Sequence, residues 1–219
     1  MIVDLFGIPG CGKTFYSKDL RKRMIKADLP CVDISRFNGM PLWLKICYKL
    51  ADFAICLLPK YRKQKKVIKS LFISCENVKS KYVPFSLDYC INDIVLSTLI
   101  HDICNKLKIF CVNDEGQIQR YVFLMIQFGI PFDRLFSVYK QYNDNSFTIY
   151  LMSNVECAFS NIKNRNRHVC PMDEISDDIL KMYLNDFYVG CELFRNNIGM
   201  TYSYSYNGLS VLSNRPLDF

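Results

Sequence analysis

The sequence predicts an α/β fold: a parallel sheet with helices on both faces, opened by a glycine-rich phosphate loop and carrying a helical substrate lobe. Three observations predict it. The apolar run Ile2-Val3-Asp4-Leu5-Phe6 leads into "GIPGCGKT" and then into a helix-like segment. Strand-length apolar runs recur at "LPCVDIS", "IFCVN" and "SFTIYLM", with helical periodicity between them. From Gly39 to Lys108 the signal is mostly helical, too long for one crossover. Residues 1–219 therefore read as a single domain, with the lobe at about 39–108.

The first strand is expected at 2–6, and the helix opened by the loop should run to about Lys26. "LPCVDIS" is a second short strand with Asp33 at its carboxyl end. Residues 42–58 and 61–73 are two helices separated at Pro59. Within 85–107, Leu87, Ile91, Ile94, Val95, Leu99, Ile103 and Leu107 recur as one buried stripe, with Ser86 as N-cap. "IFCVNDEG" is a buried strand emptying into a polar cluster. "QIQRYVFLMIQFG" is a helix closed by Gly129, and 132–142 form another. "SFTIYLM" is a strand, "VECAFSNIKNRNR" a helix with a basic end, and 176–198 a helix from Ser176 to Gly199. "GLSVLS" closes the sheet.

Half the residues are apolar and 22% are charged, which suits a globular chain. Asp4 and the loop stand where a cleavable signal would need its apolar core. The most apolar stretch, "PLWLKICYKLADFAICLLP", carries Lys45, Lys49 and Asp52, so no membrane span is expected. The eleven cysteines lack a C-x-x-C spacing and have only His101 and His168 for company. They read as buried thiols of a reducing, cytoplasmic setting rather than a zinc site. The net charge of +7 is concentrated in "RKRMIK" and "KYRKQKKVIK". These runs are either solvated helix faces or a surface for an anionic partner. No nucleic-acid module accompanies them, so nucleic acid is not an expected partner.

Residues 7–14 fit G-x-x-x-x-G-K-[ST], the P-loop or Walker A pattern, at every fixed position: Gly7, Gly12, Lys13 and Thr14. Glycines let backbone N–H groups turn inward around phosphate oxygens, and the following helix adds its positive end. Gly7, Pro9, Gly10, Cys11, Gly12, Lys13, Thr14 and Phe15 are thus the candidate nucleotide-binding residues. Lys13 would reach the β/γ-phosphates, and the Thr14 hydroxyl would ligate Mg²⁺. Cys11 is open to two readings: an exposed thiol activated by Lys13 and the loop amides, or a small side chain tucked inward.

Asp114 and Glu115 follow a buried strand, where a phosphate-loop enzyme holds Mg²⁺. Asp114 is the metal candidate and Glu115 the group that orients or deprotonates the acceptor; both also suit a helix N-terminus. Asp33 would open on the same crevice and compete with Glu115 for the acceptor hydroxyl, with Arg36 close behind. Arg165 and Arg167 end a helix ahead of a polar loop. They either complement its dipole or belong to a lid at about 163–172 that neutralises the transferring phosphoryl group.

This order of phosphate loop, short strand ending in Asp, helical lobe, "DEG" strand end and "V-E-x-A-x-x-x-I-K-x-R" resembles the P-loop kinases of small molecules. Nucleoside, nucleotide and thymidylate kinase-like members resemble it most. Glu156, Ala158, Phe159, Ile162 and Arg165 match the segment before the family's lid, while its first arginine position holds Asn161. The Asp-Arg-Tyr of thymidylate kinases is replaced by Asn113-Asp114-Glu115-Gly116. The resemblance implies ATP- and Mg²⁺-dependent phosphoryl transfer to a nucleoside or nucleotide, with a sugar or polyol as second choice. It leaves room for a homodimer. The competing class is a nucleotide-driven switch or assembly ATPase, but the only Asn-Lys, at 105, lacks the aspartate of a guanine-reading N-K-x-D.

Overall fold

The computed structural model describes residues 2–29, 31–33, 58–72, 80–143, 147–165 and 174–216, together with 46, 50, 53, 55 and 57. Among the described residues, six strands form one sheet: β1 (Ile2–Phe6), β2 (Cys31–Asp33), β3 (Phe110–Asn113), β4 (Phe147–Leu151), β5 (Tyr202–Tyr206) and β6 (Leu209–Ser213). Their spatial order is β2-β3-β1-β4-β6-β5. The first four run parallel, as the alternation of strands and helices requires. The helices are α1 (Lys13–Lys26), α2 (Pro59–Ser70), α3 (Leu87–Lys106), α4 (Gln117–Phe128), α5 (Phe132–Asn143), α6 (Val155–Asn164) and α7 (Asp177–Asn197).

β1 and β4 are buried along their whole length, because helices cover both faces of the sheet. α1 packs across β1, β2 and β3, while α3 and α4 pack on β1 from the other side. α7 lies along α4, where a Cβ on Gly190 would stand 2.7 Å from Met125 and 2.8 Å from Val122. Only a residue without a side chain lets those two helices approach so closely.

The helix boundary expected at Pro59 is present: Leu58 is extended and Pro59 opens α2, since proline at the first helical position gives up no needed hydrogen bond. The expected helix at 42–58 lies largely outside the described residues. On α3 the stripe is buried at Ile91, Ile94, Val95 and Leu99, but Leu107 lies past the helix end and is exposed.

The larger difference is at the sheet edge. "YSYSY" is a strand that periodicity had not marked, and it forms an antiparallel hairpin with β6. Its turn is Asn207-Gly208, both with left-handed φ (48° and 79°), the chemistry of a two-residue hairpin. β6 then pairs antiparallel with β4, so the sheet is parallel at its centre and antiparallel at one edge. The hairpin also braces α1. Tyr206 meets Tyr16 edge to face at 4.8 Å, and the Arg23 guanidinium lies over the Tyr206 ring.

Candidate active site

Strand register creates the site. Asp4 of β1 pairs with Asn113 of β3, so the chain leaves both strands side by side at their carboxyl ends. The Gly116 N–H donates to the Leu5 carbonyl at 3.0 Å, which ties the turn after β3 to β1. A Cβ on Gly116 would lie 2.8 Å from both Asp4 Cβ and Leu5 O, so that contact demands glycine. Ligands in open α/β sheets bind in this crevice, beyond the strand ends.

From β1 the chain enters the loop 7–12. Gly12, with φ 94°, forms the N-cap of α1, and its carbonyl accepts the amides of Phe15 and Tyr16. Gly10 has φ 89°, and a Cβ there would stand 2.4 Å from the Ala158 carbonyl oxygen. The loop is thus pressed against α6 at a position only glycine can occupy. Asn161 fixes the same junction, its Nδ2 donating to the Gly10 carbonyl at 3.0 Å. Asn161 thus holds the loop in place.

Lys13 curls back over the loop. Its ammonium donates to the Gly7 carbonyl at 2.8 Å and the Ile8 carbonyl at 3.0 Å, and lies 3.6 Å from Cys11 Sγ. Cys11 is 2% exposed beneath the loop, so of its two readings the inward one fits and the exposed thiol does not. Phe15 is 64% exposed, so its ring faces solvent rather than the loop interior.

Thr14 Oγ1 donates to Asp114 Oδ2 at 2.8 Å. Two residues a hundred positions apart are joined by the register of β1 and β3. Their hydroxyl and carboxylate oxygens are hard donors of the kind Mg²⁺ takes alongside phosphates and water. This donor set fits the ion. Asp114 is buried, which keeps the carboxylate fixed beside the hydroxyl.

Glu115 follows on the exposed side of the turn, with its amide bonded to Asn113 Oδ1. The protein crowded around that crevice strips hydration from the carboxyl and pushes its pKa upward. Arg120 and Lys13 oppose the rise, while Asp114 and Asp93 add to it. Arg120, from α4, donates through Nε to Asp93 Oδ2 of α3 at 2.7 Å, and its buried Nη1 has no hydrogen-bond partner among the described residues. Burial opposes the charge on Arg120, but Asp93 and Glu115 outweigh it and hold its pKa above the usual arginine value. Tyr89, 61% exposed, stands within the field of Asp93, Glu115 and Arg120. This wall of Asp93, Arg120, Glu115 and Tyr89 carries three residues that sequence reasoning missed. The available signal was Asp93, a charge set between the apolar Ile91 and Ile94 of α3.

Asp33 ends β2 in register with Val112, at the same sheet edge but one strand farther from the loop. Arg165 is the C-cap of α6 and is exposed. Arg36, Arg167 and most of the expected lid lie outside the described residues.

A loop of this form after β1, with a carboxylate after the adjacent β3, defines the architecture. It is an α/β P-loop fold. No family model matches the chain, and neither does any curated protein. Two solved structures of deoxyadenosine kinase from M. mycoides are similar to it. One, with the products dCMP and a flexible dCDP bound, is 14% identical at a TM-score of 0.49 and covers 92% of this chain and 87% of its own. The other, with bound dATP, is 15% identical at a TM-score of 0.49 and covers 90% and 86%. Among the described residues, no helix is long and apolar enough to cross a membrane.

Proposed function

We propose that this chain is an ATP-dependent kinase that moves the γ-phosphoryl group to a nucleoside or nucleotide. The observation that carries the reading is the Thr14–Asp114 bond at 2.8 Å beside the P-loop. It brings the two oxygen donors of an Mg²⁺–nucleotide site together at one strand end. Bound there, Mg²⁺ would neutralise charge on the phosphate oxygens.

In this reading the loop amides and Lys13 hold the β/γ-phosphates. Lys13 exchanges its carbonyl partners, Gly7 and Ile8, for phosphate oxygens. Glu115 faces the acceptor, and its raised pKa suits a carboxylate that takes a proton from a hydroxyl. Asp33, at the neighbouring strand end, is the second carboxylate available for that role. Arg165 and Arg167 close over the transferring group and offset its developing charge. Arg120, held by Asp93 at 2.7 Å, sets a cation beside the Glu115 carboxylate. With Tyr89 beside them, these groups suit a flat heteroaromatic acceptor better than a polyol.

The test is ATP turnover across a panel of nucleosides, nucleotides and sugars, with product mass measured. A product heavier by one phosphoryl group on a nucleoside or nucleotide is expected. Release of inorganic phosphate at the same rate with and without every acceptor would overturn the kinase reading.

A further inference from the structure

The basic run 60–69, which the phosphate chemistry does not use, becomes one face of α2. The helix is anchored by its inner side: Ile68 is fully buried, Tyr61 donates to Asp102 at 2.5 Å, and Gln64 Nε2 donates to Thr98 at 3.0 Å. Cations fill the outer side. Lys60 and Lys69 are paired with Asp102 and Asp88. Arg62, Lys63 and Lys66 are exposed and make no ion pair among the described residues. At spacings of one and three residues they project along the side opposite Tyr61, Gln64 and Ile68. No acidic residue lies within the helix.

Immediately before this face stand large apolar side chains in water. Leu58, the N-cap of α2, is 42% exposed, Leu57 is 63% exposed, and helical Phe53 is 65% exposed. Apolar side chains at the foot of a helix with unneutralised cations form an interfacial pattern: the former enter the headgroup boundary while the latter meet anionic headgroups. Long Arg and Lys stems can follow the apolar groups inward and keep their charges at the surface.

We propose that the outer face of α2, with Leu57 and Leu58 at its start, docks on an anionic lipid bilayer. A nucleic acid would use the same charges, but a sequence-tolerant site needs rings for bases to stack on. The aromatic residue within α2, Tyr61, is turned inward. Phe53 offers a single exposed ring ahead of the cationic face, and Leu57 and Leu58, which stand nearer to it, offer a polyphosphate nothing. Both leucines have a use at a lipid surface. Docking requires no spanning helix.

The experiment is co-sedimentation of the full chain with large vesicles of phosphatidylcholine, with and without one part in three of phosphatidylserine. Binding is expected only with phosphatidylserine. It should weaken sharply from about 0.1 M to about 1 M salt, where the screening length falls from ~10 Å to ~3 Å. Replacing Arg62, Lys63 and Lys66 together by Gln should weaken it about 100-fold. Leu57→Gln with Leu58→Gln should weaken it about 10-fold while preserving the salt dependence. All these side chains are exposed, and unchanged thermal melts would establish that each variant folds. The proposal is overturned if wild type ignores phosphatidylserine, or if the triple-Gln variant sediments equally well. It is also overturned if the leucine variant binds normally while duplex DNA displaces the chain, an outcome that would assign α2 to nucleic acid.

Discussion

The phosphate loop and the wall facing it, Asp93, Arg120, Glu115 and Tyr89, border one crevice but are built differently. The loop is local and made of backbone: eight consecutive residues fold around their own amides, and α6 presses them into shape through Ala158 and Asn161. The wall is assembled from side chains of α3, α4 and the turn after β3, held by a charge pair rather than by a turn. Phosphates are chemically uniform, so a fixed backbone cradle serves them all. In the proposed reading an acceptor is particular, so its recognition would rest on side chains that can be exchanged without disturbing the cradle.

The deepest test of this division is Lys13→Ala. Loss of a positioned cation at the phosphates should lower turnover about 1,000-fold or more, with the circular-dichroism melt unchanged. Turnover within a few-fold of wild type would remove the loop from the chemistry.

Arg120→Met should act on the other side. It strands Asp93 and removes a charged hydrogen-bonding group, at a cost of about 2–3 kcal/mol. The KM for the acceptor should rise about 30- to 100-fold while the KM for ATP stays within a few-fold. Equal rises in both constants would erase the distinction between loop and wall.

Gly10→Ala should invert that pattern. Its Cβ has no room against the Ala158 carbonyl, and its φ is strained for alanine, so about 2 kcal/mol of distortion falls on the loop. ATP affinity, read by nucleotide titration, should drop about 30-fold and acceptor affinity much less.

A smaller effect appears in the pH profile. A Glu115 base must be ionised, so kcat/KM falls as pH drops through its raised pKa. The acid limb should therefore lie above the ordinary glutamate value of about 4.3. Arg120 favours the ionised form, so the residual activity of Arg120→Met should show this limb at still higher pH. An unmoved limb would transfer the role to Asp33. The smallest effect belongs to Cys11: brief iodoacetamide treatment should label exposed Cys157 ahead of Cys11 and leave Cys11 nearly unmodified, with or without MgATP. Peptide mass spectrometry reads the order.

How far the chain could be read before it was seen folded follows the same division. β1, the loop and α1 were legible because glycine spacing and the Lys-Thr pair are local signals, and Asp114 was legible because a buried strand empties into it. Arg120 and Tyr89 were not, because each is ordinary in its own helix and becomes a site residue only when α3 and α4 meet. β5 escaped because its alternating Tyr and Ser form an exposed edge, where burial leaves no apolar pattern. The Asn207-Gly208 turn was the signal that would have found it.

The C-terminal hairpin carries a consequence for how this protein comes into being. Leu209 reaches to within 3.8 Å of the Cβ position on Gly12, Ser210 accepts the amide of Met152, and Tyr206 shores up α1. The phosphate loop leaves the ribosome well before the hairpin that braces it. At about 5–20 residues per second, the interval is about ten to forty seconds. During that time the nascent chain holds a P-loop sequence without its support, and β4 lacks its β6 neighbour. The nucleotide site proposed above is therefore braced only once the β5–β6 hairpin has been translated.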